Sequence, residues 1–243
     1  MIRIFHQESI IENKVILLYS DKLHYLKNVM RAKIGQNILM FNGIDGEFRC
    51  TILSIEKSKI SILIGDRTRQ SAEFAVKINL VFSVPKTQYI QSIITKCTEI
   101  GVNSFCPIAT ERSSNIFNEE RVAKIAIEAC EQSERLDIPV IHTLQGLQGF
   151  LQTYVSTSAN SCLVFCDEHA EGDSTNIMNL QIDSSVREVY VLIGSEGGFS
   201  PSERDFILHH ESIKRVTLGS TILKCDTAAI VACYAVSKFQ RVV

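Results

Sequence analysis

Three glycines and a carboxylate stand where an apolar run stops. In Tyr190–Phe206, YVLIGSEGGFSPSERDF, the run Val191, Leu192, Ile193 ends at Gly194-Ser195-Glu196-Gly197-Gly198, and helix-start residues follow at once. Glycines between a strand and a helix serve a backbone that turns tightly or lies close against a ligand. The spacing is not GxGxxG and the chain contains no GxxxxGK[ST], so the common dinucleotide and phosphate loops are not indicated. Glu196 has two roles open to it, accepting backbone N–H groups to hold the loop or facing a polar ligand. Downstream, Ser200-Pro201-Ser202-Glu203 has the spacing of a capping box with proline at the first helical position.

A second loop has the same build. In Val216–Ala232, VTLGSTILKCDTAAIVA, a strand ends at Gly219, and Ile222-Leu223 leads to Lys224, Asp226 and Thr227. Asp226 suits the N-cap of the helix that follows. Two such loops at the carboxyl ends of two strands mark the place where open α/β sheets bind ligands.

The elements that must position these loops are legible as two patterns. Up to about residue 70 the chain reads as mostly β: a strand near Arg3–Phe5, a helix over Asp21–Lys33 with Leu23, Leu26, Val29 and Met30 on one face, then NILMFNG, EFRCTILSIE and KISILIG. That is the size of a small barrel. A polar stretch, Gly65–Phe74, reads as the linker. From Val76 strand and helix alternate, which predicts a largely parallel α/β sheet, and 153–161 reads as a surface loop.

Composition narrows the classes. The chain has 243 residues, 45% hydrophobic and 21% charged, with a formal net charge of -2, which argues against coating nucleic acid by bulk charge. No apolar run approaches the roughly 20 residues of a membrane span, and MIRIFHQESIIENK lacks a signal-peptide core, so the expectation is a cytoplasmic protein without membrane association. The eight cysteines are scattered, with no CxxC pair, and read as reduced core residues rather than a metal site. A basic run, DKLHYLKNVMRAK, reads from composition alone as a solvated surface.

Taken in order, LIGSEGGFSPSE and LGSTILKCDTAAI resemble the signature of the RsmE family, SPOUT-superfamily methyltransferases that act on N3 of a uridine in the decoding region of 16S ribosomal RNA. The resemblance extends through HYLKNVMRAKIGQ, FNG, QSIITKCTEIGV, CPIATER and IAIEACEQSERLDIP, nearly the whole chain. It implies residues 1–70 as a PUA-like RNA-binding β-barrel and 71–243 as a SPOUT methyltransferase domain with a C-terminal trefoil knot, a rare exception to the rule that connections do not thread. It further implies S-adenosyl-L-methionine as cofactor, the small ribosomal subunit as substrate, a homodimer and no metal. The expected cofactor residues are Phe165, Leu192, Gly194, Ser195, Glu196, Gly197, Gly198, Leu218, Gly219, Ile222, Leu223 and Lys224, with a further loop near Asp167 and Glu168. For RNA phosphates the expected contacts are Arg3, Lys27 and Arg31. N3 of uracil must lose a proton, so Glu196 and Asp226 are candidates for proton handling and Lys224 and Arg135 for charge stabilisation or phosphate binding, beside structural roles as loop clamp for Glu196, helix cap for Asp226 and surface ion pair for Arg135. Ala228, Ala229, Ala232 and Ala235 suit close helix packing at a dimer interface or within one chain.

The third loop departs from the family's usual ILRTETA, reading ILKCDTA, and Ser195 replaces a common proline. Lysine lacks the arginine fork and aspartate is one methylene shorter than glutamate. Three alternatives share these residues: a non-catalytic RNA-binding factor, a small-molecule enzyme with glycine loops, and a methyltransferase with another RNA target.

Overall fold

The computed structural model describes residues 1–240 other than 73, 115, 158, 159, 171, 173, 174, 211 and 212. The chain divides into two compact units, Met1–Ala72 with Cys130–Ile138, and Glu73–Ala129 with Pro139–Val243.

In the first unit, β1 (Arg3–Phe5), β2 (Val15–Leu18), β3 (Asn37–Asn42), β4 (Gly46–Ile55) and β5 (Ile60–Arg69) form one sheet in the order β1-β3-β4-β5-β2. Side chains alternate across a strand, so Ile60, Ile62 and Ile64 of β5 all point inward and are fully buried with Ile38, Met40 and Ile52. The expected linker is therefore shorter than read, because β5 continues through Arg69 in register with Glu47; Glu73 lies outside the described residues. The expected helix over Asp21–Lys33 is also revised. It is α1 (Ser20–His24) followed by a π-helical turn, Tyr25–Val29, after which Arg31 takes the left-handed conformation at φ 50°. The wider turn, with Met30 N–H bonded to the Tyr25 carbonyl, keeps Leu23 and Leu26 in the core and rotates Val29 and Met30 to the surface.

Arg3 explains why Cys130–Ile138 packs with this unit although it falls within the stretch expected as the methyltransferase domain, 71–243. Its guanidinium donates to Glu47 (2.6 Å) and to the carbonyls of Cys130 and Arg135, and lies 3.7 Å over the Phe41 ring. Phe41, Cys130 and Leu136 pack as a small core of their own.

In the second unit every strand pairing among the described residues is parallel. β6 (Lys77–Ser83), β7 (Ser104–Ala109), β8 (Val140–Ile141), β10 (Ser161–Cys166), β11 (Glu188–Ile193) and β12 (Ile213–Val216) run in the order β12-β10-β11-β6-β7-β8, and β9 (Gln145–Gly146) also pairs with β7. The central strands are apolar on both faces, as a doubly covered sheet requires. Leu80, Phe82, Val191 and Ile193 share one core with α2 (Thr87–Ile100) and α6 (Cys225–Ser237); Val81 and Leu192 share the other with α4 (Leu147–Thr157) and α5 (Pro201–Leu208). Helix α3 spans Glu119–Ser133. The stretch read as a surface loop, 153–161, is helical through Thr157; residues 158 and 159 lie outside the described residues and Ser161 opens β10.

From the edge strand β12 the chain turns back, so that α6 lies against β6, β11 and α2. Ile177–Asn179, a 3-10 turn in the connection from β10 to β11, packs on the same helix, and Lys238 Nζ donates to the Met178 carbonyl. The last helix thus packs against both the sheet and an earlier connection, as the expected trefoil-knot arrangement requires. Ala229, Ala232 and Ala235 are buried here inside the chain, where their small size lets α6 approach α2 and the sheet.

Candidate active site

Three loops leave the carboxyl ends of neighbouring strands: Asp167–His169 after β10, Gly194–Phe199 after β11 and Thr217–Lys224 after β12. They enclose a cavity of about 500 Å³, within the range of small-molecule sites, roughly 300–1,000 Å³. Phe165, Leu218 and Leu223 supply apolar wall; Glu168, Glu196, Arg204 and Lys224 supply charge.

The glycine loop is tightly packed against its own protein. A Cβ at Gly194 would lie 3.3 Å from Gly198 Cα, at Gly197 3.0 Å from Arg112 Cβ, and at Gly198, where φ is +63°, 3.3 Å from Glu168 Oε1. Gly198 is favoured by its own backbone conformation, and a side chain at 194 or 197 would have to displace a close neighbour, whatever lies in the cavity. Ser195 is buried and its Oγ donates to the Arg112 carbonyl, while Arg112 Nη1 donates to the Gly197 carbonyl, both at 3.0 Å. Glu196 Oε1 accepts the Lys86 N–H at 3.2 Å, so this carboxylate does clamp the loop to the start of α2. Ser200 and Glu203 exchange both bonds of the capping box that starts α5.

Asp167 ties the other two loops together. Its buried carboxylate accepts from Arg204 on α5, from Arg215 on β12 at 2.6 Å and from the His169 N–H. Burial opposes its charge, but these donors outweigh burial and hold its pKa below the ordinary carboxylate value. Cys225, at the start of α6, is pushed up to about 11 by burial and by the negative charges of Glu196 and Asp226, so it is a thiol at neutral pH.

Of the expected cofactor residues, all line the cavity except Leu192, whose side chain faces the opposite core because strand residues alternate; Ile193 takes its place. Ile222 lines it while remaining 81% exposed. Glu196 and Lys224 are brought together at the cavity. Asp226 is not the N-cap, which is Lys224; it lies in the first turn of α6, away from the cavity lining, and accepts the Thr227 N–H. Arg135 belongs to the first unit, where it pairs with Asp137 at 2.6 Å, and is not part of this lining. Arg3, expected as a phosphate contact, has its side chain 4% exposed and paired with Glu47, so its guanidinium is committed inside the first unit. Lys27 and Arg31 are exposed, with Lys27 Nζ on the Glu56 carbonyl. Tyr89, Arg112 and Arg204 were not singled out from the sequence. Arg204 follows the capping-box glutamate directly, but nothing local pairs it with Asp167, 37 residues away.

The described residues contain no cluster of three or more His, Cys, Asp or Glu placed to hold a metal, and no helix long and apolar enough to cross a membrane. Residues 72–237 match the family model described as an RNA methyltransferase domain, and 18–65 match an RNA methyltransferase PUA domain. The ribosomal RNA small subunit methyltransferase E of Rickettsia conorii is 32% identical, covering 95% of this chain and 92% of that protein. The protein of the same name from Bacillus subtilis is 27% identical over 95% and 93%. Among solved structures, a Legionella pneumophila protein in complex with the bound cofactor SAM superposes with a TM-score of 0.81 at 25% identity, covering 98% of this chain and 97% of that one. A Neisseria gonorrhoeae ribosomal RNA small subunit methyltransferase E, at 23% identity and a TM-score of 0.84 over 98% and 97%, shares the fold.

Proposed function

The chain belongs to the ribosomal RNA small subunit methyltransferase E family, and on that premise we propose that its cavity takes S-adenosyl-L-methionine and serves methylation of N3 of one uridine in the decoding region of 16S ribosomal RNA. The observation that carries this is the convergence of three strand-end loops on a cavity whose lining mixes apolar walls with both signs of charge. The fit is chemical: a cationic, amphipathic ligand with an aromatic base finds Phe165 and Leu218 for its rings and Glu168 for its charge. When bound, the cofactor supplies a methyl on a sulfonium, open to in-line displacement.

This chain's residues do the rest. The loops hold donor and acceptor in line, which is a major part of the catalysis. Glu196, one oxygen of which is engaged by the Lys86 N–H, takes the N3 proton through the other as the new N–C bond forms. Lys224 stabilises the negative charge that develops on the uracil oxygens. The acceptor base is turned out of its stack to reach them. Lys27 and Arg31 contact phosphates, the substrate is the assembled small subunit in the cytoplasm, and two copies of the chain form the working homodimer.

Calorimetry tests the premise of this reading. Titration of S-adenosylmethionine, and of its demethylated product, into the purified chain is expected to show one saturable site per chain, lost when Gly194 carries a bulky side chain. A folded protein with no heat of binding for either compound overturns the assignment.

A further inference from the structure

The glycine loop has few side chains with which to hold itself. Gly194, Gly197 and Gly198 have none, and glycine has more backbone freedom to lose on ordering than any other residue. A ligand that meets a loop in many conformations binds more weakly, in proportion to the fraction that is competent. Restraint has to come from outside the loop.

It comes from Arg112, in the connection after β7. Arg112 Nη1 donates to the Gly197 carbonyl and the Arg112 carbonyl accepts from Ser195 Oγ, each at 3.0 Å. One residue thus grips the loop on both sides of Glu196. The aliphatic stem fits as well, since only a glycine at 197 lets Arg112 Cβ come so close. The peptide between Gly197 and Gly198 has both polar groups committed, its carbonyl to Arg112 and its N–H to the Ser195 carbonyl at 2.9 Å. The neighbouring Glu111 anchors the same connection to the start of α5: its N–H donates to Glu203 Oε1 and its carboxylate accepts from Ser202 Oγ. The arginine is therefore fixed at its base, while its guanidinium remains exposed.

We propose that Arg112 is a positioning residue for methyl transfer, holding the glycine loop in the cofactor-competent conformation through the Gly197 carbonyl. It touches neither the donor nor the acceptor. The proposal rests on the assignment of the cavity to S-adenosylmethionine.

The test uses the full chain with Arg112→Ala and Arg112→Lys. For Arg112→Ala the calorimetric Kd for S-adenosylmethionine is expected to rise about tenfold, as for loss of a hydrogen bond from a charged donor. Arg112→Lys, which keeps a cationic donor without the fork, is expected to recover part of that loss. In steady state, KM for the cofactor rises by a similar factor, while KM for RNA and kcat at saturating cofactor stay within about twofold, the pattern of lost uniform binding. Thermal unfolding is expected to shift little, because the guanidinium is exposed. Wild-type cofactor affinity in Arg112→Ala overturns the proposal, and so does a rise confined to KM for RNA. Failure of the wild-type chain to bind S-adenosylmethionine overturns the cavity's assignment, and this proposal with it.

Discussion

At the scale of single residues, Gly198 shows how little room the site leaves. Its φ of +63° costs an L-residue roughly 1–2 kcal/mol, and a Cβ there would stand 3.3 Å from Glu168 Oε1. Gly198→Ala is expected to lose about 1 kcal/mol of stability and about tenfold in cofactor affinity, read by urea unfolding and by calorimetry. An unchanged affinity would show that the loop adapts freely. Glu47 gives a pH prediction from the same kind of reading. Burial would raise its pKa, but Arg69, Arg3 and Thr68 outweigh burial and lower it from 4.5 to about 2. Its contribution to stability is full above pH 4.5 and is lost as pH falls toward 2; a shift of that size corresponds to on the order of 3 kcal/mol. Glu47→Gln is expected to destabilise the protein at pH 7 by about 3–5 kcal/mol, since it leaves Arg3 buried without its partner. It is also expected to flatten the acid limb of a stability-against-pH curve. An acid limb as steep as the wild type's would contradict this.

At the scale of elements, Asp167 joins three of them, β10, α5 and β12, through Arg204 and Arg215. Asp167→Asn keeps the shape but turns an amide N–H₂ or a weaker acceptor toward two guanidinium groups. The expected cost is about 3 kcal/mol of stability, together with weaker cofactor binding, because two cavity loops share that anchor. A variant that unfolds earlier yet binds the cofactor as the wild type does would separate the anchor from the site. Such long-range pairs are what sequence patterns hide. The capping box at Ser200 and the parallel strands were legible, because a fixed spacing and an apolar run each have one structural meaning. The helix over Asp21–Lys33 was legible only in part: a π turn changes the face presented without changing composition. Arg3 looked like a free cation because its partners, Glu47, Cys130 and Arg135, are 44 to 132 residues away. Strand β2 escaped notice for another reason. Val15 and Leu17 face outward, so its apolar run has no alternation to mark it.

At the scale of the whole molecule, the knot illustrates a limit of local reading. Nothing in DTAAIVACYAVSKFQ announces that the helix will pack against an earlier connection as well as the sheet; the resemblance implies that arrangement, and α6 packs in this way. Ala229, Ala232 and Ala235 of that helix are buried within the chain, and its exposed residues are Thr227, Val231 and Tyr234. If two copies form the working unit, light scattering at micromolar concentration gives twice the chain mass of 27.2 kDa, and a monomer that methylates RNA at full rate would contradict that part. The site-specific methylation proposed for this chain is tested by transfer of labelled methyl from S-adenosylmethionine to small ribosomal subunits lacking their own modifications, followed by reverse transcription. A methyl on N3 blocks base pairing, so one strong stop is expected at a uridine of the decoding region, lost with Glu196→Gln. Cofactor binding without incorporation, or a stop at another position, would contradict it.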